Sequence, residues 1–312
     1  MTHSGNHPTS ETVHKHTSPP VIDYEGSDYQ QAFWEQGGRE YEDRAEAIAL
    51  KRLLPERGEC LLELGAGAGR NTPRYHGFDK IVLLDYSLTQ LQQAQSRLGK
   101  HPRYIYVAAD VYRLPFVSGL FDTATMIRVL HHIVDVPGAL TQIRRVLQPD
   151  GIFILEYANK RNVKAILRYL LHKQSWSPFS QEPVEFVELN FDFHPRKIIQ
   201  WLQKADFKTE QQLTVSHFRM SFLKKHVPLE LLVTMDALAQ KTGNLWQLSP
   251  SVFTRNRVIH SGVKAAPGDF FFCPECAGSA LVEQDEQITC PACGKRWQIR
   301  NGIYDFREPL DD

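Results

Sequence analysis

The sequence predicts an α/β fold, a mostly parallel sheet with helices on both faces, followed by a small cysteine-bearing module. Three observations predict it. Short apolar runs alternate with helical stretches between residues 60 and 157, the order expected of βαβ units. A glycine cluster, Gly65, Gly67 and Gly69, follows the first apolar run. Two C-x-x-C pairs, Cys273/Cys276 and Cys290/Cys293, stand near the end of the chain.

Each element follows from the local pattern. Met1 to Pro20 is polar, rich in histidine and carries prolines without an apolar core, so residues 1–22 read as a solvated tail and not a signal peptide. From Glu40 to Leu54 the residues Ala45, Ile48, Ala49 and Leu53 share a helical face, ended by Pro55 and Gly58. Cys60 to Leu64, Lys80 to Asp85, Tyr104 to Ala108, Phe121 to Ile127 and Ile152 to Tyr157 read as strands. Ser87 caps a helix running to about Leu98, and Pro137 to Leu147 forms another. Residues 160–195 are less regular and read as a helical insertion over the site. Pro195 to Ala205 and Pro228 to Gln240 read as helices, Phe207 to Val215 and Ser251 to His260 as strands, and Ala265 to Gly268 as a linker. The domains expected are 23–264 and 269–308.

Composition narrows the function. The chain has 312 residues, with Lys plus Arg at 36 and Asp plus Glu at 36. A net charge of zero supplies no overall field for a polyanion, although a local basic patch remains open. Apolar runs such as Ile152 to Leu155 are far too short to span a bilayer. C-x-x-C pairs without a secretion signal suggest a metal site in a reducing cytoplasm. Cys60 reads as a buried core thiol.

The segment Glu63-Leu64-Gly65-Ala66-Gly67-Ala68-Gly69-Arg70 follows a strand and is expected to open a helix. Glycines there let the backbone turn tightly against a ligand. Asp85 ends the next strand, where an acid binds ribose hydroxyls, and Asp110 follows the third, where a carboxylate can accept from an adenine amine. A dinucleotide enzyme has similar spacing. Here the glycines run G-x-G-x-G, and Glu63 would repel a pyrophosphate but suit an ammonium group.

ELGAGAGR, LLDYS, AADVYRLPF, FDTATMIRVLHHI and LQPDGIFILEYAN resemble successive motifs of class I S-adenosylmethionine-dependent methyltransferases, particularly the UbiE-like group, over roughly residues 40–260. The resemblance implies a Rossmann-like sheet of seven strands whose last strand is antiparallel. It implies S-adenosylmethionine as cofactor and S-adenosylhomocysteine as product. It puts Glu63, Gly65 and Gly67, with Ala66 and Gly69 of the same loop, near the methionine part. Asp85, followed by Tyr86, takes the ribose, and Asp110 with Val111 takes the adenine. Arg128 stands where the methionine carboxylate is commonly contacted, with a structural salt bridge as its alternative.

Methyl transfer from a sulfonium requires alignment and dryness, and a base only where the acceptor must lose a proton. His131, His132 and His194 are the candidate bases, each with a structural alternative; His194 before Pro195 can simply start a helix. Glu156, Tyr157 and Asp192 also fall on the expected ligand side. Tyr29, Phe33, Trp34 and Tyr41 either cap the cofactor or pack as core. The aromatic insertion (Trp176, Phe179, Phe186, Phe191) suits a small or lipophilic acceptor, and no Asn-Pro-Pro-Tyr motif points to amide or base-amine methylation.

Cys273-Pro-Glu-Cys276 and Cys290-Pro-Ala-Cys293 are two knuckles thirteen residues apart, which predict a closed four-cysteine zinc site of structural type. With Trp297 to Arg307 they resemble the zinc-ribbon family that activates tRNA, rRNA and release-factor methyltransferases. That resemblance implies docking or substrate presentation. Lys295, Arg296, Arg300 and Arg307 offer an RNA patch, offset by Glu275, Glu283, Asp285, Glu286, Asp305 and Glu308. Three functions stay open: methylation of a small molecule, methylation of RNA or a translation factor held by the ribbon, and a cofactor-binding partner without activity. The oligomeric state is not readable.

Overall fold

Cys60 to Leu64 is apolar around a single acid because the strand it belongs to lies in mid-sheet, where both faces are covered. The computed structural model describes residues 19–21, 25–27, 34, 37–259 and 262–310. Most of the expected tail, with Tyr24, Tyr29 and Phe33, lies outside the described residues.

The helix α1 (Glu40–Leu53) leads into β1 (Gly58–Leu64). Then follow β2 (Phe78–Asp85), α2 (Leu88–Leu98), β3 (Tyr104–Ala108), β4 (Phe121–Met126), α3 (Val136–Val146) and β5 (Leu147–Ala158). After an insertion come α5 (Pro195–Lys204), β8 (Phe207–Val215), α6 (Ser221–His226), α7 (Leu229–Ala239) and β9 (Ser251–Val258). These strands lie in the order β3-β2-β1-β4-β5-β9-β8. The first five are parallel, and β9 runs antiparallel to both neighbours. This is the seven-stranded arrangement that the motifs imply. Ala45, Ala49 and Leu53 of α1 pack against Ile152 and Ile154, and Leu91 and Ala94 of α2 against Leu61 and Ile81, on one face. Leu140 and Ile143 of α3 and Ile198 and Leu202 of α5 pack on the other, against Leu62 and Phe153. Among the described residues no helix is long and apolar enough to cross a membrane.

Three features depart from the sequence reading. The glycine loop does not open an α-helix: it passes into a single 3₁₀ turn, Thr72–Arg74, and β2 begins at Phe78. Pro73 suits the first turn of a helix, and Gly77 and the strand leave no room for more turns. The insertion is only partly helical. It contains α4 (Val163–Leu170), then a hairpin of β6 (Val184–Val187) and β7 (Asn190–Asp192). The helix ends at Leu170, just before His172 takes a left-handed backbone at φ +53°, and Val184, Phe186 and Phe191 favour strands.

The third departure is the largest. The cysteine module is not a separate bead. Its strands β10 (Val282–Gln284), β11 (Gln287–Thr289), β12 (Arg296–Arg300) and β13 (Ile303–Asp305) continue the main sheet, making it eleven-stranded. β13 lies parallel to β3, with Ile303 opposite Tyr106 and Asp305 opposite Ala108. An edge strand presents unpaired backbone groups, and β13 covers those of β3. Rings seal the joint: Phe306 lies 5.0 Å from Phe271 and 5.5 Å from the fully buried Trp297. Cys273, Cys290 and Trp297 thus belong to the same apolar core as Leu62 and Val82.

Candidate functional site

The parallel strands end on one edge of the sheet, where open α/β sheets bind ligands. A cavity of about 1120 Å³, open mouth included, lies there against the ends of β1, β2 and β4. The loop after β1 forms its floor. Gly65 sits at φ +66°, and a Cβ there would come within 2.2 Å of Val129 Cγ2, so only glycine fits. The Gly67 N–H donates to Asp85 Oδ2 at 2.8 Å and the Ser87 N–H to Oδ1 at 3.0 Å, which fixes the Asp85 carboxylate at the cavity wall. Glu63 is buried beside it. Thr72 Oγ1 donates to its Oε2 at 2.6 Å, and burial nevertheless pushes its carboxyl up to about 7. A buried acid of this kind gains by meeting a cation.

Behind the floor stands an ion cluster. Glu46 of α1 is fully buried, and it accepts from Arg70 Nη2 at 2.8 Å and from Arg128 Nε at 2.7 Å. Burial opposes its ionisation, and Arg128 and Arg70 outweigh that and hold its carboxyl below the usual range. Asp43 joins the cluster through Arg70 and Arg74. Arg128 adopts φ +64°, an unfavourable conformation for a residue with a Cβ, and is held there by its own N–H donating to Glu156 Oε2 at 3.0 Å. Trp34 roofs the pair, with the Arg70 guanidinium 3.5 Å from its ring centre.

The structure places the sequence candidates as follows. Glu63, Gly65, Ala66, Gly67, Asp85, Tyr86, Val111 and Arg128 line the cavity. Gly69 packs under α2, and Asp110 caps the next turn by accepting from the Tyr112 N–H at 2.9 Å, so neither is part of the lining. Arg128 makes the salt bridge that was its alternative role, while still facing the cavity. His132 lines the cavity and His131 does not, although their rings are 3.9 Å apart. Burial lowers both imidazoles below their ordinary pKa, joined at His131 by the charges of neighbouring His132, Arg128 and Arg219 and opposed at His132 by the Leu189 carbonyl. His132 Nδ1 lies 3.2 Å from the Leu189 carbonyl, which only accepts; Nδ1 therefore carries the proton and Nε2 keeps its lone pair. His194 is away from the cavity and accepts the Arg196 N–H as the cap of α5, at 3.2 Å. Tyr41 packs in the core and donates to Asp236 at 2.6 Å. Burial pushes Asp192 up to about 6. Sequence reasoning missed Glu46, Tyr75 and Gln90; only Arg70, adjoining the glycines, carried a local signal.

The four cysteine sulfurs lie within 4.8 Å of one another, with Cys273–Cys293 at 3.7 Å and Cys276–Cys290 at 3.5 Å. A tetrahedral ion with metal–sulfur bonds of about 2.3 Å spaces its sulfurs at about 3.8 Å, so the set fits one such ion. No residue of this module lines the cavity. Its end reaches the rim, where Arg307 Nη1 donates to the Tyr86 carbonyl at 3.4 Å. Arg300 and Arg307 both pair with Asp305, which removes two members of the expected basic patch.

Residues 62–155, from β1 into β5, match the family model described as a methyltransferase domain. The chain resembles methyltransferases over this segment. It is 35% identical over 102 residues to a demethylmenaquinone methyltransferase of Corynebacterium kroppenstedtii, covering 32% of this chain and 42% of that one. It is 30% identical over 165 residues to an O-methyltransferase of Penicillium expansum, covering 48% of this chain and 59% of that one. The chain thus spans about half the length of the curated relatives it matches. A solved complex containing the Haloferax volcanii Trm112 methyltransferase activator includes a chain of the same fold, with TM-score 0.54 and 16% identity over 74% of this chain and 96% of that one.

Glu46→Ala leaves two guanidinium groups facing a dry gap. Alanine favours the helix, so any loss comes from the cluster. Urea unfolding should show stability lower by about 3–5 kcal/mol; a change below about 1 kcal/mol would contradict the role given to this carboxylate.

Proposed function

We propose that this chain binds S-adenosylmethionine in the cavity and transfers its methyl group to a small, lipophilic acceptor. The observation that carries the reading is the convergence of buried Glu63, the Gly65–Gly67 turn and the fixed Asp85 carboxylate at adjacent strand ends, within the segment matching a methyltransferase domain. Bound there, the cofactor supplies a methyl group made electrophilic by its sulfonium. Glu63 takes the ammonium group, which restores its charge in a dry site. Asp85 accepts from the ribose hydroxyls, and Ala109 and Val111 give the base an apolar slot. Arg128, already paired with Glu46, faces the carboxylate end. His132 is the candidate base, because it lines the cavity, its Nδ1 is held at the Leu189 carbonyl and burial favours the neutral ring.

The quinone acceptors in the names of two groups of relatives, demethylmenaquinone and 2-phytyl-1,4-naphtoquinone methyltransferases, support a lipophilic acceptor. We assign the four cysteines to structural zinc, since four thiolates close its coordination sphere. The ribbon then serves the sheet: it covers β3 and braces Tyr86. Methylation of RNA or a translation factor is the second reading. With two ribbon arginines held by Asp305, it rests on the ribbon's likeness to activator domains alone.

Titration calorimetry with S-adenosylhomocysteine tests the cofactor site. Asp85→Ala should weaken binding at least roughly ten-fold, the effect of losing a charge-assisted hydrogen bond. Glu63 must be ionised to hold the ammonium, and its carboxyl titrates at about 7 in the unliganded chain. Affinity should therefore rise with pH up to and through that value and level off above it. Unchanged affinity in the variant, or affinity that falls as pH rises, would contradict the assignment. Zinc is tested by elemental analysis and chelation. About one zinc per chain is expected, and its removal should lower the melting temperature of the whole chain in one transition, because β13 belongs to the main sheet. Melting unaffected by chelation would contradict this.

A further inference from the structure

The insertion carries a face that the cofactor chemistry does not use. Residues 157–181 contain no acid, yet hold Lys160, Arg161, Lys164, Arg168 and Lys173, in a chain of zero net charge. Lys160 is spent inside, donating to the Glu182 carbonyl at 2.6 Å and to Ser180 Oγ at 3.2 Å. The other four belong to α4 and its flanks. In that helix Ala165 is buried and Tyr169 packs edge-on against Phe179, with ring centres 6.2 Å apart. Val163, Leu167, Leu170 and Leu171 point outward, 50–61% exposed. With each residue turning about 100°, these four share one side of the helix, and Arg161, Lys164 and Arg168 form a stripe beside it. The apolar surface continues past the helix start. The Val163 N–H donates to the Leu248 carbonyl at 3.0 Å, which sets exposed Leu245 and Trp246 alongside.

We infer that α4, with Phe179, Leu245 and Trp246, is the surface by which this protein lies on an anionic lipid bilayer. An apolar helix face with a cationic border is the pattern of an interfacial helix, the leucines entering the acyl boundary and the basic groups meeting the headgroups. An exposed tryptophan at the rim suits the same boundary. Two other occupants fit less well. RNA would meet the basic stripe but leave the leucines in water. A second copy, docked face to face about a twofold axis, would bring the same positive stripe near itself. The neighbouring hairpin bears Glu182, Glu185 and Glu188, so the contact is confined to the helix and its flanks. The inference does not depend on methyl transfer, and it agrees with the lipophilic acceptor, which a bilayer would hold.

Co-sedimentation of the full chain with vesicles tests it, using phosphatidylcholine with and without phosphatidylglycerol. Binding should favour the anionic vesicles roughly ten-fold or more and weaken with added salt. The paired variants Leu167→Glu/Leu171→Glu and Lys164→Glu/Arg168→Glu should each lose it. These side chains are exposed, and an unchanged affinity for S-adenosylhomocysteine would verify that the variants are folded. That titration also separates failure of this inference from failure of the cofactor site. The inference is overturned if the wild type stays in the supernatant with both vesicles or if the variants sediment as the wild type does. It is equally overturned if the face instead supports a dimer or binds RNA in place of vesicles.

Discussion

Glu46 is a carboxylate through which three separate pieces of chain are held together. It lies on α1, buried, and its two oxygens face Arg70 from the glycine loop and Arg128 from the end of β4. A carboxylate taken out of water costs several kcal/mol unless it is paired. Here the pairing is double, and each partner stands at a corner of the cavity. The helix cannot slide along the sheet without exposing or stranding a charge. Arg128 also keeps its left-handed backbone because its side chain and its N–H are both fixed, by Glu46 and Glu156. The shape of the cavity mouth thus follows from one desolvated charge cluster, with Trp34 laid over it.

The opposite side of the sheet is governed by hydrogen bonding. A parallel sheet leaves β3 with a bare edge, and the chain returns almost two hundred residues later to cover it with β13. The module that supplies this strand is small, and its four cysteine sulfurs lie close enough together to share one metal ion. Its tip, Arg307, then touches the strand end that carries Asp85 and Tyr86. The ribbon is joined mechanically to the Asp85–Tyr86 side of the cavity, and α4 lies on the far side with the insertion.

Much of this was legible in the sequence. β1, β2, β3, β4 and β5 are short apolar runs bounded by turn residues, and such runs announce themselves. Glu63, Asp85 and the glycines mark strand ends because their chemistry is out of place inside a strand. The four cysteines are legible because their spacing serves little else. What stayed hidden depends on partners remote in sequence. Arg128 meets Glu46 across 82 positions, and nothing near either residue announces the other. The pairing of β13 with β3 is of the same kind. His194 and Asp110 show another limit: both are polar groups at element ends, and a cap and a ligand contact draw on the same residue types.

The central claim is that the cavity at the ends of β1, β2 and β4 holds S-adenosylmethionine, with Glu63 on its ammonium and Asp85 on its ribose. A crystal structure of the chain with S-adenosylhomocysteine tests this most directly. The ligand should lie in that cavity, with its amine within hydrogen-bond reach of Glu63 and both ribose hydroxyls on Asp85. A ligand seated elsewhere, or seated there with neither carboxylate in contact, would contradict it.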